Sequence, residues 1–476
     1  MRRMLFGLAA GLGFSVPAVF AHGFDERYDL PVPLGYFVLG AAAVVALSFL
    51  IAVLFARQAA RPDENPRCLP IPQPLLTMLW HGCRAIALAL FLLTLTAALW
   101  GTGDPMMNLA PTLVWIIWWV GLSLLAALVG NVWPALDPWR TLFDGLDGVA
   151  RRLGRRDGIA FYWRWPSRLG VWPAVVLLLL WSWLEVVYPI AAVPRRLGVM
   201  MLAWTALSLC GMLCFGRTVW QKNGDVFAIY FATLGSMAPL AISTTAPQGL
   251  LLRRPGAALM APEGSTPLPA GSVAFVIAML STVLFDGLHG GSAWSLFERI
   301  LTQRFPQWMD VNGYFQGSAG LICVWLIFLL AYGLTCLATA RITRAGSAAL
   351  IARRFVPTLV PIAVAYNIAH NFSSLLIQGQ NAIPLISDPL GRHWDLFGTA
   401  RRYADIGLID ARGTWYVAIV SIVLGHVISV WLAHQVALRH NVTQRNAGMA
   451  ALPLTCLMIA YTAISLSVIA EPMVTF

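Results

Sequence analysis

Charge is scarce in this chain. Only 11% of its 476 residues are Asp, Glu, Lys or Arg, against roughly 25% in soluble domains. A chain so poor in charge cannot cover a water-facing surface, which excludes an ordinary soluble fold. Paired cysteines are missing too. The seven Cys stand singly, several inside apolar runs (Cys210, Cys214, Cys323, Cys336, Cys456). No CxxC or Cys/His spacing occurs, so neither a disulfide framework nor a zinc finger is indicated. The chain has no phosphate-binding loop, dinucleotide glycine pattern, serine-nucleophile elbow or HExxH, which argues against nucleotide use and against those hydrolase classes. No internal repeat is evident, which weakens an analogy to inverted-repeat transporters.

What the chain does have is apolar length. Apolar residues make up 59% of it, mean hydropathy is +0.72, and there are 20 Trp. Apolar blocks run at about 33–55, 83–101, 111–132, 170–189, 198–215, 225–245, 268–289, 318–340, 356–378, 414–436 and 450–470. A helix of about 20 apolar residues crosses the hydrocarbon core. The expected fold is therefore all-α, a polytopic transmembrane bundle solvated by the lipid bilayer. The net charge of +11 does not point to nucleic acid, because the arginines sit in short clusters between apolar blocks, where cytoplasmic anchors belong.

Residues 1–21 read as a cleavable signal peptide, with basic Arg2 and Arg3, a short apolar run from Met4 to Phe20, and Ala21 at the cleavage position. Residues 22–476 then form one integral membrane domain of a bacterial inner membrane, with the mature N-terminus outside. Segment 133–169 holds Arg140, Arg151, Arg152, Arg155, Arg156, Arg164 and Arg168 and is expected to be a cytoplasmic loop. Segment 341–354, with Arg341, Arg344, Arg353 and Arg354, belongs on the same side. Five apolar blocks lie between the two, and five crossings cannot return to one side. One block must fail to span. Block 225–245 contains Asp225, Gly235 and Ser236 between flanking basic residues, so it is expected to be re-entrant or interfacial. About ten spanning helices remain, and 379–413 becomes an outer-face loop.

Ionisable groups at membrane depth require a partner or a purpose. In 356–378, Asn367, His370, Asn371, Ser374 and Gln378 fall on one helical face. In 268–289 the set is Thr282, Asp286 and His289. Glu185 lies three residues after Ser182, and His426 and His434 share a face. Cleavage after Ala21 would give His22 a free α-amine beside its imidazole, a bidentate nitrogen chelate suited to copper or zinc. His22, Asp286, His289 and His370 are therefore the expected transition-metal ligands. Glu185, Asn367, Asn371, Ser374, Gln378 and His426 would line a polar cavity. Interhelical hydrogen bonding is the bland alternative, favoured for Asn367, Asn371, Ser374 and Thr282.

Several stretches together resemble the integral membrane proteins labelled fenitrothion hydrolase or its membrane subunit. They are His22-Gly23-Phe24, Arg27-Tyr28-Asp29-Leu30-Pro31, Gly130-Asn131-Val132-Trp133-Pro134, Asp137-Pro138-Trp139-Arg140, Phe285-Asp286-Gly287, Leu376-Ile377-Gln378-Gly379-Gln380, Ser387-Asp388-Pro389, Trp394-Asp395-Leu396-Phe397-Gly398, Gly425-His426-Val427 and Ala433-His434. The resemblance implies hydrolysis of an apolar organophosphate triester and carries no catalytic assignment with it. A metal-bound water would supply the nucleophile, and a periplasmic or membrane partner subunit would help close the pocket. Copper redox chemistry is a second expectation. A third is a permease, or the membrane subunit of one, handling a metal ion or small solute. The permease needs a polar route to the cytoplasmic side; the enzyme needs polar groups only near the outer face.

Overall fold

The computed structural model describes residues 28–475 apart from 57, 60–66, 244–248, 261–267, 290, 345 and 441–443. The expected signal peptide and His22 lie outside the described residues.

Apolar sequence sets the helices: α1 (Leu34–Phe55), α2 (Gln73–Trp100), α3 (Leu109–Leu128), α4 (Pro138–Arg152), α5 (Trp172–Val186), α6 (Pro194–Phe215), α7 (Val226–Gly235), α8 (Ser272–Leu288), α9 (Ser292–Arg304), α10 (Tyr314–Thr343), α11 (Val360–Gln378), α12 (Ala411–His440) and α13 (Gln444–Met473). Proline at the first turn starts α2, α4, α5, α6 and α11, where its missing N–H costs nothing. Asp137 and Asp225 cap α4 and α7 through their side chains. Eight helices among the described residues are long and apolar enough to cross a membrane.

Two faces emerge from the contacts between helix ends. On one, the basic face, Leu240 N–H donates to Val129 O at the end of α3, and β3 (Leu240–Ser243) pairs with β4 (Gly249–Leu252), which pairs with β2 (Arg67–Pro70) between α1 and α2. The end of α6 accepts from Phe161 and Trp163 of the arginine-rich segment, and the approach to α8 meets that to α5 through Val171 N–H and Ala270 O. On the opposite, terminal face, β1 (Tyr28–Asp29) pairs in parallel with β5 (Val474–Thr475). There Glu471 accepts from Ser292 N–H and Trp183 Nε1 donates to Ser318 at 2.8 Å.

At 15 and 17 residues, α5 and α8 are short, yet they too join the two faces. Helix α7 starts and finishes on the basic face: Gln221, just before it, binds Asp137 at 2.7 Å, and Gly235 at its end lies against Asn131. This is the re-entrant segment that the charge distribution required.

Polarity is inverted relative to a soluble protein. Leu39, Phe55, Ile327 and Leu330 point outward, whereas Asn367, His370, Ser374, His426, Ser429, His434 and Gln435 are buried. An apolar exterior around polar groups suits a lipid solvent. Helix α11 is buried on every side from Val360 to Asn367, so the polar stripe read from the sequence lies at the bundle's centre.

Candidate functional site

Three elements meet α11 where the stripe is densest. Helices α5 and α8 run together from the basic face and carry Glu185 and Asp286 near their terminal-face ends. Re-entrant α7 brings Tyr230 from the other side. The adjoining stretch of α3, Thr112–Gly121, is wound as a π-helix and carries Trp119. Such widened turns recur at functional sites.

Asp286 Oδ2 lies 2.7 Å from His370 Nε2. Gly287, next in the chain, allows this approach: a Cβ there would sit 3.1 Å from Tyr366 Oη and 3.8 Å from His370 Nδ1. A small cavity of about 20 Å³ opens beside the pair, lined by Glu185, Asp286, Asn367, Asn371, Tyr230 and Thr282 among others. That is room for about one water-sized guest. Asn367 Nδ2 donates to Tyr230 Oη at 3.4 Å, and the Tyr230 ring stacks on Trp119 at 4.8 Å. The Trp119 indole is within hydrogen-bonding reach of Glu185, and the Glu185 and Asp286 charges are near enough to act on each other.

Three of the residues expected to line a polar cavity, Glu185, Asn367 and Asn371, are thus brought together with two of the expected metal ligands, Asp286 and His370. Ser374 and Gln378 continue the stripe toward the terminal face without lining the cavity. His289 is also apart. Its ring packs on Trp294 at 4.7 Å, and its backbone N–H closes α8 on Phe285 O. Among the described residues, no three His, Cys, Asp or Glu side chains are grouped to hold a metal ion. His22, the expected fourth ligand, lies outside the described residues.

From the Asp286–His370 pair, polar rings continue toward the basic face. Tyr366 stacks on His370 at 6.3 Å, Tyr461 of α13 stacks on Tyr366 at 6.5 Å, and His426 of α12 lies 5.7 Å from Tyr461. His426 Nδ1 is 2.8 Å from Ile422 O. A carbonyl can only accept, so neutral His426 carries its proton on Nδ1 and presents Nε2 as an acceptor. Two helical turns further, His434 Nε2 is 3.1 Å from Ala56 O, which fixes the opposite tautomer and leaves Nδ1 as the acceptor. His434 is fully buried, with the end of α1 against it.

Buried polar atoms are nearly always hydrogen-bonded. Along this file five have no partner among the described residues: Tyr366 Oη, Asn367 Oδ1, His426 Nε2, Ser429 Oγ and His434 Nδ1. Tyr366 was not among the stripe residues read from the sequence, though its place four residues before His370 puts it on the same helical face. Tyr461 and Tyr230 carried no such signal, because each sits alone in an apolar run.

Comparison with protein-family models, with curated proteins and with solved structures gives no match.

Proposed function

We propose that this protein is a proton-coupled permease. In this reading Glu185, Asp286 and His370 form its ion-binding centre, and Tyr366, Tyr461, His426 and His434 form the route toward the basic face. The observation that carries this is the run of buried polar atoms, from Tyr366 to His434, without partners among the described residues. Leaving such atoms unsatisfied is costly, and a path that takes up water or protons satisfies them in use. Two carboxylates around a space of one water's size, one of them held by an imidazole, suit a proton or a small cation far better than an organic substrate. A re-entrant helix that sends Tyr230 into the centre has the same sense, since broken helices in membrane proteins gather at transport sites.

The bilayer is a bacterial inner membrane in this reading, with the terminal face outside and the arginine-rich 133–169 segment in the cytoplasm. The hydrolase implied by the sequence resemblance would use the same Asp286–His370 pair, completed by His22 around copper or zinc and closed by a partner subunit. It gives no reason for the route beyond Tyr366, and permease is the better reading.

The test is proton flux into liposomes containing the purified protein, driven by a potassium diffusion potential and read by an internal pH dye. Uptake faster than in empty liposomes, abolished by Asp286→Asn, supports the permease. Triester hydrolysis that depends on added zinc or copper, with no proton flux, would replace it with the enzyme.

A further inference from the structure

A second constellation lies on the basic face, separate from the ion-binding centre. Arg84 of α2 donates from Nη2 to Asp144 Oδ2 at 2.7 Å and from Nε to Thr141 at 3.1 Å. Arg217, after α6, pairs with the other oxygen of the same carboxylate. Arg140 lies with its guanidinium 5.2 Å over the Trp80 ring. It forms no ion pair among the described residues, and its buried Nε has no partner. The charges of Arg84, Arg217, Asp144 and Asp137 all act on it. Asp137 forms no ion pair with the guanidinium; its oxygens accept from the Arg140 backbone N–H and from Gln221, and three arginines face two carboxylates here. Burial first, and then the neighbouring Arg217, hold the Arg140 guanidinium below its usual range.

Beside this cluster, toward the membrane interior, is a cavity of about 520 Å³, within the roughly 300–1,000 Å³ of ligand pockets. Its wall begins one turn from Arg84 with Ile86, Ala87 and Leu90 and reaches Pro138 and Trp139, adjacent to Arg140. Among its lining residues, the sole non-aromatic polar one is Thr94. Ile86 and Leu90 are themselves exposed on the bundle's apolar exterior, so the cavity opens sideways to lipid.

We infer that this is a binding site for an anionic phospholipid of the basic-face leaflet, its phosphate at Arg140 and an acyl chain in the apolar cavity. A free phosphate would leave the cavity unfilled, and a neutral apolar molecule would leave Arg140 unpaired. An anionic lipid satisfies both at once, and juxtamembrane arginines attract such lipids.

Phosphatidylglycerol with brominated acyl chains tests this in mixed micelles, because bromine quenches the Trp118, Trp139, Trp181 and Trp204 rings that line the cavity. Brominated phosphatidylglycerol should quench at about fivefold lower mole fraction than brominated phosphatidylcholine, the advantage of one unpaired guanidinium. Arg140→Gln should remove that preference, and Ala87→Phe, which fills the cavity, should weaken quenching by both lipids. Equal quenching by the two lipids in the unaltered protein would overturn the inference, with no variant needed. Displacement of the lipid by millimolar inorganic phosphate would also overturn it, in favour of a simple phosphate site.

Discussion

Asp286 and His370 meet across two helices, Oδ2 to Nε2 at 2.7 Å, although 84 residues separate them in the chain. The imidazole is buried and the carboxylate faces the small cavity. Replacing Asp286 with Ala leaves a buried imidazole nitrogen without this partner. Such an orphan costs about 1–3 kcal/mol. Asp286→Asn keeps a hydrogen-bonding group and should unfold nearly as the unaltered protein does. Thermal unfolding in detergent checks the pair: a melting temperature unchanged in Asp286→Ala would mean that the contact contributes nothing.

Two glycines hold the helices close. A Cβ at Gly287 would lie 3.0 Å from Val468 and 3.1 Å from Tyr366 Oη, and one at Gly425 would strike Ala365 Cβ and lie 2.8 Å from Pro361 O. Overpacking of this kind costs about 1–3 kcal/mol. Gly425→Ala should be the more damaging, because backbone and a short side chain cannot move aside. A melting temperature unchanged in both variants would contradict the packing described for α8, α11 and α12.

His426 and His434 are expected to be opposite tautomers when neutral, Nδ1–H and Nε2–H respectively, because each donates to a backbone carbonyl. Nitrogen-15 chemical shifts of histidine-labelled protein separate the two forms. Matching tautomers would place one ring the wrong way round and break the route between them.

On the basic face, outside the spans, burial pushes the Asp137 carboxyl up to about 6. The folded chain then keeps this proton to a higher pH than the unfolded chain does. Stability from this group is therefore greatest below about pH 4, falls as pH rises to about 6, and is level above that, by about 3 kcal/mol in all. Asp137→Asn retains the cap of α4 and removes the titration. The difference in stability between the two proteins should follow that window, and a difference independent of pH would contradict it.

Much of this architecture was legible in the sequence, because a membrane leaves the chain few choices. Apolar length fixed the spans, and arginine placement forced one block to turn back, which α7 does. The stripe from Asn367 to Gln378 identified the helix at the bundle's centre. Pairing across helices was less legible. The three-residue step from Asp286 to His289 put both on one turn of sequence, yet the His289 ring packs on Trp294 and does not line the cavity. Tyr230 and Tyr461 join the centre only through folding. Other motifs proved to be scaffolding: Asp388 accepts from the Arg392 and His393 backbone N–H groups, and Ser387 binds Asp395, so together they shape the 379–413 loop.

The most direct measurement is proton flux in liposomes for His426→Phe beside Asp286→Asn. His426 lies beyond Tyr461 from the carboxylates and can matter only if the route continues past them. Loss of flux in both variants, with His426→Phe still folded, is the expected result. Full flux in His426→Phe, or none in the unaltered protein, would contradict a path through the bundle.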